Sequence, residues 1–111
     1  MDQSSFRSGA PLLLLLLTLV VVGCSTAPPV QEMSDARQAI AAAREAGAEG
    51  LAPSGLAQAE ALLDGAEEQL EVGTSASYWQ AKKAAISAKE VAFEALLTSR
   101  DAQDAAAGRS R

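Results

Sequence analysis

The sequence has no histidine and a single cysteine, and each shortage removes a class of chemistry. Without histidine there is no Ser–His or Cys–His nucleophilic pair. Zinc sites built from cysteine and histidine are excluded on the same ground. A lone cysteine, Cys24, has no disulfide partner within the chain. Aromatic residues are nearly as scarce, at two Phe, one Trp and one Tyr. The formal net charge of −5 argues against nucleic acid as a partner, since an acidic chain without a basic patch repels a phosphate backbone. The glycines Gly47, Gly50 and Gly55 fit no phosphate-loop spacing. No cofactor is expected.

Bulky apolar residues are also few once the first 23 residues are set aside. Leu, Ile, Val and Phe then make up 13 of 88 residues, a share so low that it borders on the composition of disordered chains. Against that stand 24 alanines in the same stretch, and alanine is the best helix former. With Asp2 and Arg7 removed, 13 acidic residues face 8 basic ones, a modest imbalance that weakens the case for disorder. The composition therefore predicts an all-α domain with a thin core and low stability.

The apolar residues that exist are concentrated at the start. Leu12 to Val22 is interrupted only by Thr18. Eleven helical residues span roughly 16 Å, whereas a membrane-spanning helix needs about 20 residues, so a secretory leader is favoured over a permanent span. Arg7 supplies a weakly basic start, partly offset by Asp2. The run closes on Val21-Val22-Gly23-Cys24, which resembles the lipobox of bacterial lipoproteins. That resemblance implies cleavage between Gly23 and Cys24, with the Cys24 thiol carrying a diacylglyceryl group. Ser25, standing where an aspartate would signal inner-membrane retention, resembles an outer-membrane destination. The expected organisation is a leader over 1–23, a lipidated cysteine and stiff Pro28-Pro29 tether over 24–31, a helical domain over 32–106 and a frayed tail over 107–111.

Three helices are predicted, at about 32–46, 53–71 and 76–106. Met33, Ala36, Ile40 and Ala43 recur at three- and four-residue steps on one face of the first. Gly47 is placed to cap its end, and Pro53 suits the first turn of the second. The second carries Leu56, Ala59, Leu63, Ala66 and Leu70 in a heptad-like stripe, with Gly65 inside it. After the break at Gly73-Thr74-Ser75, Ser77 and Gln80 have capping-box spacing, with Ser75 the alternative cap. The third helix has Trp79, Ile86 and Phe93 seven residues apart, beside a face of Ala81, Ala85, Ala88, Ala92 and Ala95.

An antiparallel three-helix bundle is the expected architecture. The length of the second turn predicts Leu70 level with Trp79, Leu63 with Ile86 and Leu56 with Phe93. The same register sets Glu67 level with Lys82 and Glu60 with Lys89. The second turn then lies at the tether end of the domain. This makes Tyr78, Trp79, Lys82 and Lys83 candidate membrane-interface residues, since aromatic rings with a polar edge favour the headgroup zone. The last helix is expected to overhang its partners from about Leu97.

Two other features have competing readings. Glu60, Asp64, Glu67, Glu68 and Glu71 could receive a cation or a basic partner, or form a solvated face balanced by Lys82, Lys83 and Lys89. The alanine face of the last helix is either covered by the first helix or free for a partner helix.

Beyond the leader, the order of Met33-Ser34-Asp35-Ala36-Arg37, Ala46-Gly47-Ala48, Leu51-Ala52-Pro53, Leu56-Ala57-Gln58-Ala59 and the Gly73 turn resembles a bacterial lipoprotein family known as domain of unknown function 4398. The resemblance runs roughly from Pro28 to Ala95. It implies a periplasm-facing helical lipoprotein, with no family site residues to carry over. Some members continue into a peptidoglycan-binding domain like that of outer membrane protein A. No such stretch stands in this sequence, so direct peptidoglycan binding is not expected of it. The expected role is that of a non-enzymatic envelope lipoprotein, held to membrane lipid through acylated Cys24. It would offer its helices to an envelope protein or, in the alternative, to its own copies as a structural element.

Overall fold

The structure is a computed structural model that describes residues 27–109. The leader, the Gly23–Cys24 cleavage site and the lipidation site at Cys24 lie outside the described residues. Within them the regular elements are all helical: α1 (Val30–Glu45), α2 (Ala48–Leu51), α3 (Pro53–Val72) and α4 (Ser75–Arg109). The protein is all-α, and none of these helices is long and apolar enough to cross a membrane.

Each helix end has a local cause. α1 begins two residues before the expected start, because Pro28-Pro29 is part of its first turn and not free tether. The Val30 amide donates to the Pro28 carbonyl at 2.8 Å and the Met33 amide donates to the Pro29 carbonyl at 3.1 Å. Proline suits this place because the first amides of a helix have no intrahelical acceptor. Gly47 ends α1 in the left-handed region at φ 85°, where a side chain would be strained. The break that follows is not a plain loop. It contains the one-turn α2, whose Ala48 is fully buried. Pro53 opens α3, and Gly73 at φ 76° closes it.

The start of α4 corrects the expected cap. Thr74 is the capping residue, and Ser77 takes the third helical position, where glutamate or glutamine normally reaches back. The Ser77 amide donates to Thr74 Oγ1 at 3.1 Å, and the Thr74 amide donates to Ser77 Oγ at 2.8 Å. The Ser77 hydroxyl in turn donates to the Thr74 carbonyl at 2.8 Å. A reciprocal capping box is closed with two short hydroxyls, so neither Ser75 nor Gln80 is needed.

The packing also departs from the expected layers. Trp79, Ile86 and Phe93 were expected to face α3, yet they are 59%, 37% and 47% exposed. The buried face of α4 is the alanine face: Ala81, Ala85, Ala88, Ala92 and Ala95, with Ser77 near one end and Ser99 near the other. At 3.6 residues per turn this face points about 140° away from the aromatic stripe. The reason is steric. α4 packs against both α1 and α3, and alanine lets a helix approach two neighbours closely while they supply the larger side chains. Met33 and Ala66 share one cluster with Ala81, Ala85 and Ala88. Ile40 and Leu56 share the other with Ala92, Ala95 and Leu96. Leu63 packs against both. The alanine face is therefore covered within the chain and is not free for a partner helix.

Leu56 and Ala59 of α3 cluster with Ala92, Ala95 and Leu96 of α4, and Ala66 of α3 clusters with Ala81, Ala85 and Ala88. At Gly55 a built Cβ would come within 3.2 Å of the Ala95 Cβ. Gly65, the glycine inside the expected stripe, would meet nothing within 4 Å and is simply tolerated there. The far part of α4 does not overhang from Leu97. Leu96 and Ser99 are buried, the Ser99 hydroxyl donates to the Ala95 carbonyl at 2.8 Å, and Gln103 Nε2 donates to the Ala46 carbonyl at 2.9 Å. α4 is thus engaged as far as Gln103 and stays helical to Arg109, through residues expected to fray.

Two stability measurements check this packing. In thermal unfolding followed by circular dichroism, Gly65→Ala raises stability by up to ~1 kcal/mol, because it removes a helix-interior glycine from open space. Gly55→Ala gives no such gain, since its methyl presses on Ala95. Separately, Ala88→Leu destabilises by about 1–3 kcal/mol through overpacking, whereas Phe93→Ala costs under about 1 kcal/mol because its ring is half in water. The reverse ranking would restore Phe93 to the core.

Candidate functional site

Two faces carry the candidate residues. The first lies at the end of the domain where Pro28-Pro29 leads into α1. Pro29 is buried there, and Met33 is 1% exposed against Ala81 and Ala85. Glu32 Oε1 stands 3.6 Å from Lys82 Nζ, which ties the first turn of α1 to the early turns of α4. Tyr78, Trp79, Lys82 and Lys83 are therefore brought to the same end as the Pro28-Pro29 entry. Trp79 and Lys83 are exposed, while Tyr78 and Lys82 are half-buried. Trp79 does not close the end of the core. The Tyr78 hydroxyl lies over the second turn, 3.9 Å from where a Cβ on Gly73 would stand.

The second face is the seam between α1 and α3. Of the five carboxylates on α3, Glu60 and Glu67 have partners that differ from those expected. Arg44 holds Glu60 Oε1 through Nη2 at 2.6 Å and Nε at 3.2 Å. Arg37 Nη2 holds Glu67 Oε1 at 3.0 Å. Lys82 turns to Glu32 instead, and Lys89 lies on the other side of α1, beside Asp35. Sequence reasoning missed both arginines. The signal was available: Arg37 and Arg44 are seven apart, as are Glu60 and Glu67, so one register satisfies both pairs.

Between these ion pairs runs a groove of about 400 Å³ lined by Arg37, Ile40, Arg44, Glu60, Leu63 and Asp64. Among the described residues no three acidic, histidine or cysteine side chains are grouped to hold a metal ion. The paired carboxylates are engaged with arginine, so the arrangement reads as a charge-matched helix seam.

No protein-family model matches this chain, and no curated protein or solved structure matches it either.

The exposed ion pairs should contribute little. A double-mutant cycle of Arg44→Gln and Glu60→Gln is expected to give a coupling energy under about 1 kcal/mol, falling as salt is raised. A coupling of several kcal/mol would mean that the seam is a stability centre.

Proposed function

We propose that this protein is a non-enzymatic lipoprotein of the bacterial cell envelope, anchored at Cys24 and presenting its helices to a protein partner at the membrane surface. The observation that carries the reading is Val21-Val22-Gly23-Cys24 at the end of an apolar run, with no second cysteine in the chain. Ser25 favours the outer membrane, with the domain facing the periplasm. The ordered motifs from Pro28 to Ala95 support membership of the domain of unknown function 4398 family.

The domain is read as an antiparallel three-helix bundle formed by α1, α3 and α4. Supporting this are the Arg37–Glu67 and Arg44–Glu60 pairs, in which the later residue of α1 meets the earlier residue of α3. The Gly55–Ala95 contact supports the same sense for α3 and α4. Cys24 is five residues from Pro29, so the tether reaches at most about 17 Å. That short reach favours Tyr78, Trp79, Lys82 and Lys83 as the membrane-facing end, and it holds the domain at high effective concentration for its neighbours.

Self-association as a structural envelope element is the second reading. The exposed apolar residues of α4 favour it, in place of the alanine face that the sequence suggested.

Metabolic labelling with palmitate tests the anchor. The wild type is expected to incorporate label and Cys24→Ala to lose it, and an unlabelled wild type would remove the lipoprotein reading. The orientation is checked by Trp79 fluorescence in membranes containing brominated acyl chains. Quenching is expected, and an unquenched Trp79 in a labelled protein would point the other end of the domain toward the lipid.

A further inference from the structure

Ile86, Phe93 and Leu97 form an apolar line on the outer face of α4 that none of the other described helices covers. They are 37%, 47% and 56% exposed. The line runs away from the Tyr78–Lys83 end. Ile86 is about 10 Å along the helix from Trp79 and Leu97 about 27 Å, so a lipid surface meeting that end covers Trp79 and leaves the line free.

The charges beside the line differ in sign from one edge to the other. Lys82, Lys89 and Arg100 stand on one edge, and Glu90, Glu94 and Asp101 stand on the other, together with Lys83. Lys82 is held by Glu32 at 3.6 Å. Among the described residues Lys89, Arg100, Glu90, Glu94 and Asp101 have no ion pair. α1 lies outside the cationic edge. It adds Asp35, which shares a groove with Lys89 and Phe93, and Glu45, seven residues from Gln38 of the same groove. Neither comes within ion-pair distance of Lys89 or Arg100.

We propose that this line is the docking surface for a second copy of the same chain, packed parallel and in register about a two-fold axis that runs along α4. The charge pattern selects this occupant. Lys89 and Glu90 are neighbours in sequence but about 100° apart around the helix, so they straddle the line, as do Arg100 and Asp101. A two-fold axis along the helix brings each edge against the opposite edge of the other copy. Lys89 then faces Glu90 of that copy at its own level, Arg100 faces its Asp101, and each contact is made twice. Lys83 meets the Glu32–Lys82 pair of the other copy. Asp104 lies on the line itself and would face its own equivalent, which ends the contact after Asp101. Antiparallel pairing instead sets the edge of Glu90, Glu94 and Asp101 against itself, with only Lys83 to offset it. It would also turn the Tyr78–Lys83 end of one copy away from the membrane that holds the other. Three apolar side chains and a few exposed ion pairs make a weak contact, which confinement of both copies to one membrane strengthens.

The proposal rests on the anchored and self-associating readings above, and one experiment separates them. The full chain is oxidatively crosslinked in bacterial membranes, with one added cysteine per variant, alongside palmitate labelling. Phe93→Cys and Leu97→Cys are each expected to crosslink to their own copy, well above Gln58→Cys on exposed α3. Differently tagged copies bearing Ile86→Cys and Leu97→Cys, about 16 Å apart along the helix, should give little mixed product. Asp101→Arg should lower the Leu97→Cys dimer by about threefold, and adding Arg100→Asp should restore it. The proposal is overturned by a Leu97→Cys dimer no stronger than that of Gln58→Cys, by a mixed product that exceeds the self-crosslinks, or by a dimer that ignores the charge exchange. Self-crosslinking with this pattern in a chain that takes up no palmitate would support the pair and remove the anchor. A labelled chain without it would keep the anchor and overturn the pair.

Discussion

The constraint on which the rest of the fold depends is the line of alanines buried along α4. An alanine side chain offers one methyl group, so burying it gains only about 0.8 kcal/mol even when it is fully enclosed. Such a face is useful when helices come close enough for backbone and neighbouring side chains to share dispersion contacts. α1 and α3 supply the volume that α4 lacks, through Met33, Ile40, Leu56 and Leu63. Placing Trp79 or Phe93 in that seam would force the helices apart and forfeit contacts along its whole length. The bulkiest residues of α4 are therefore on the outside as a consequence of how the inside is built.

Much of the helical order was legible in the sequence. Periodicity located α1 and α3 to within about two residues, and Gly47, Pro53 and Gly73 marked the ends where the structure has them. The face of α4 was not legible from periodicity, because its aromatic and alanine stripes repeat at similar spacings. The rule that large apolar side chains point inward favoured the wrong stripe. What decides the matter is that α4 has two neighbours, a property of the whole assembly and not of any segment. The charge pairs of α3 were misassigned for a related reason: a hairpin of two helices was considered without the third, and Arg37 and Arg44 stand on that third helix. Pro28-Pro29 reads locally as a stiff linker, yet its carbonyls accept the first amides of α1. Cys24, the most informative residue in the sequence, is also the one whose chemistry is written in its neighbours and not in the fold.

The two ends of the domain differ in character. Near Pro29 the entry to α1, the second turn and the early part of α4 are gathered by the Glu32–Lys82 pair and the burial of Met33. At the other end Gly47 and Leu51 of α2 lie close to one another, and Gln103 reaches across to the Ala46 carbonyl. The charge-matched seam of α1 and α3 occupies one side, and the uncharged apolar line of α4 another. A small domain with little core thus separates its surfaces by chemistry.

The continuity of α4 has a mechanical meaning. It runs unbroken for 35 residues, with no proline and only Gly108 within it, and spans about 52 Å at 1.5 Å per residue. From Trp79 to Gln103 the rise is about 36 Å. A strut of that length fixes the separation between whatever holds its Trp79 end and whatever meets its Gln103 end. It transmits a push or a twist along its axis without a hinge to absorb it. Inserting or deleting residues in α4 would then change a distance and a rotation together, by about 1.5 Å and 100° for each residue. The distance between the two ends of the domain is thus written in one helix.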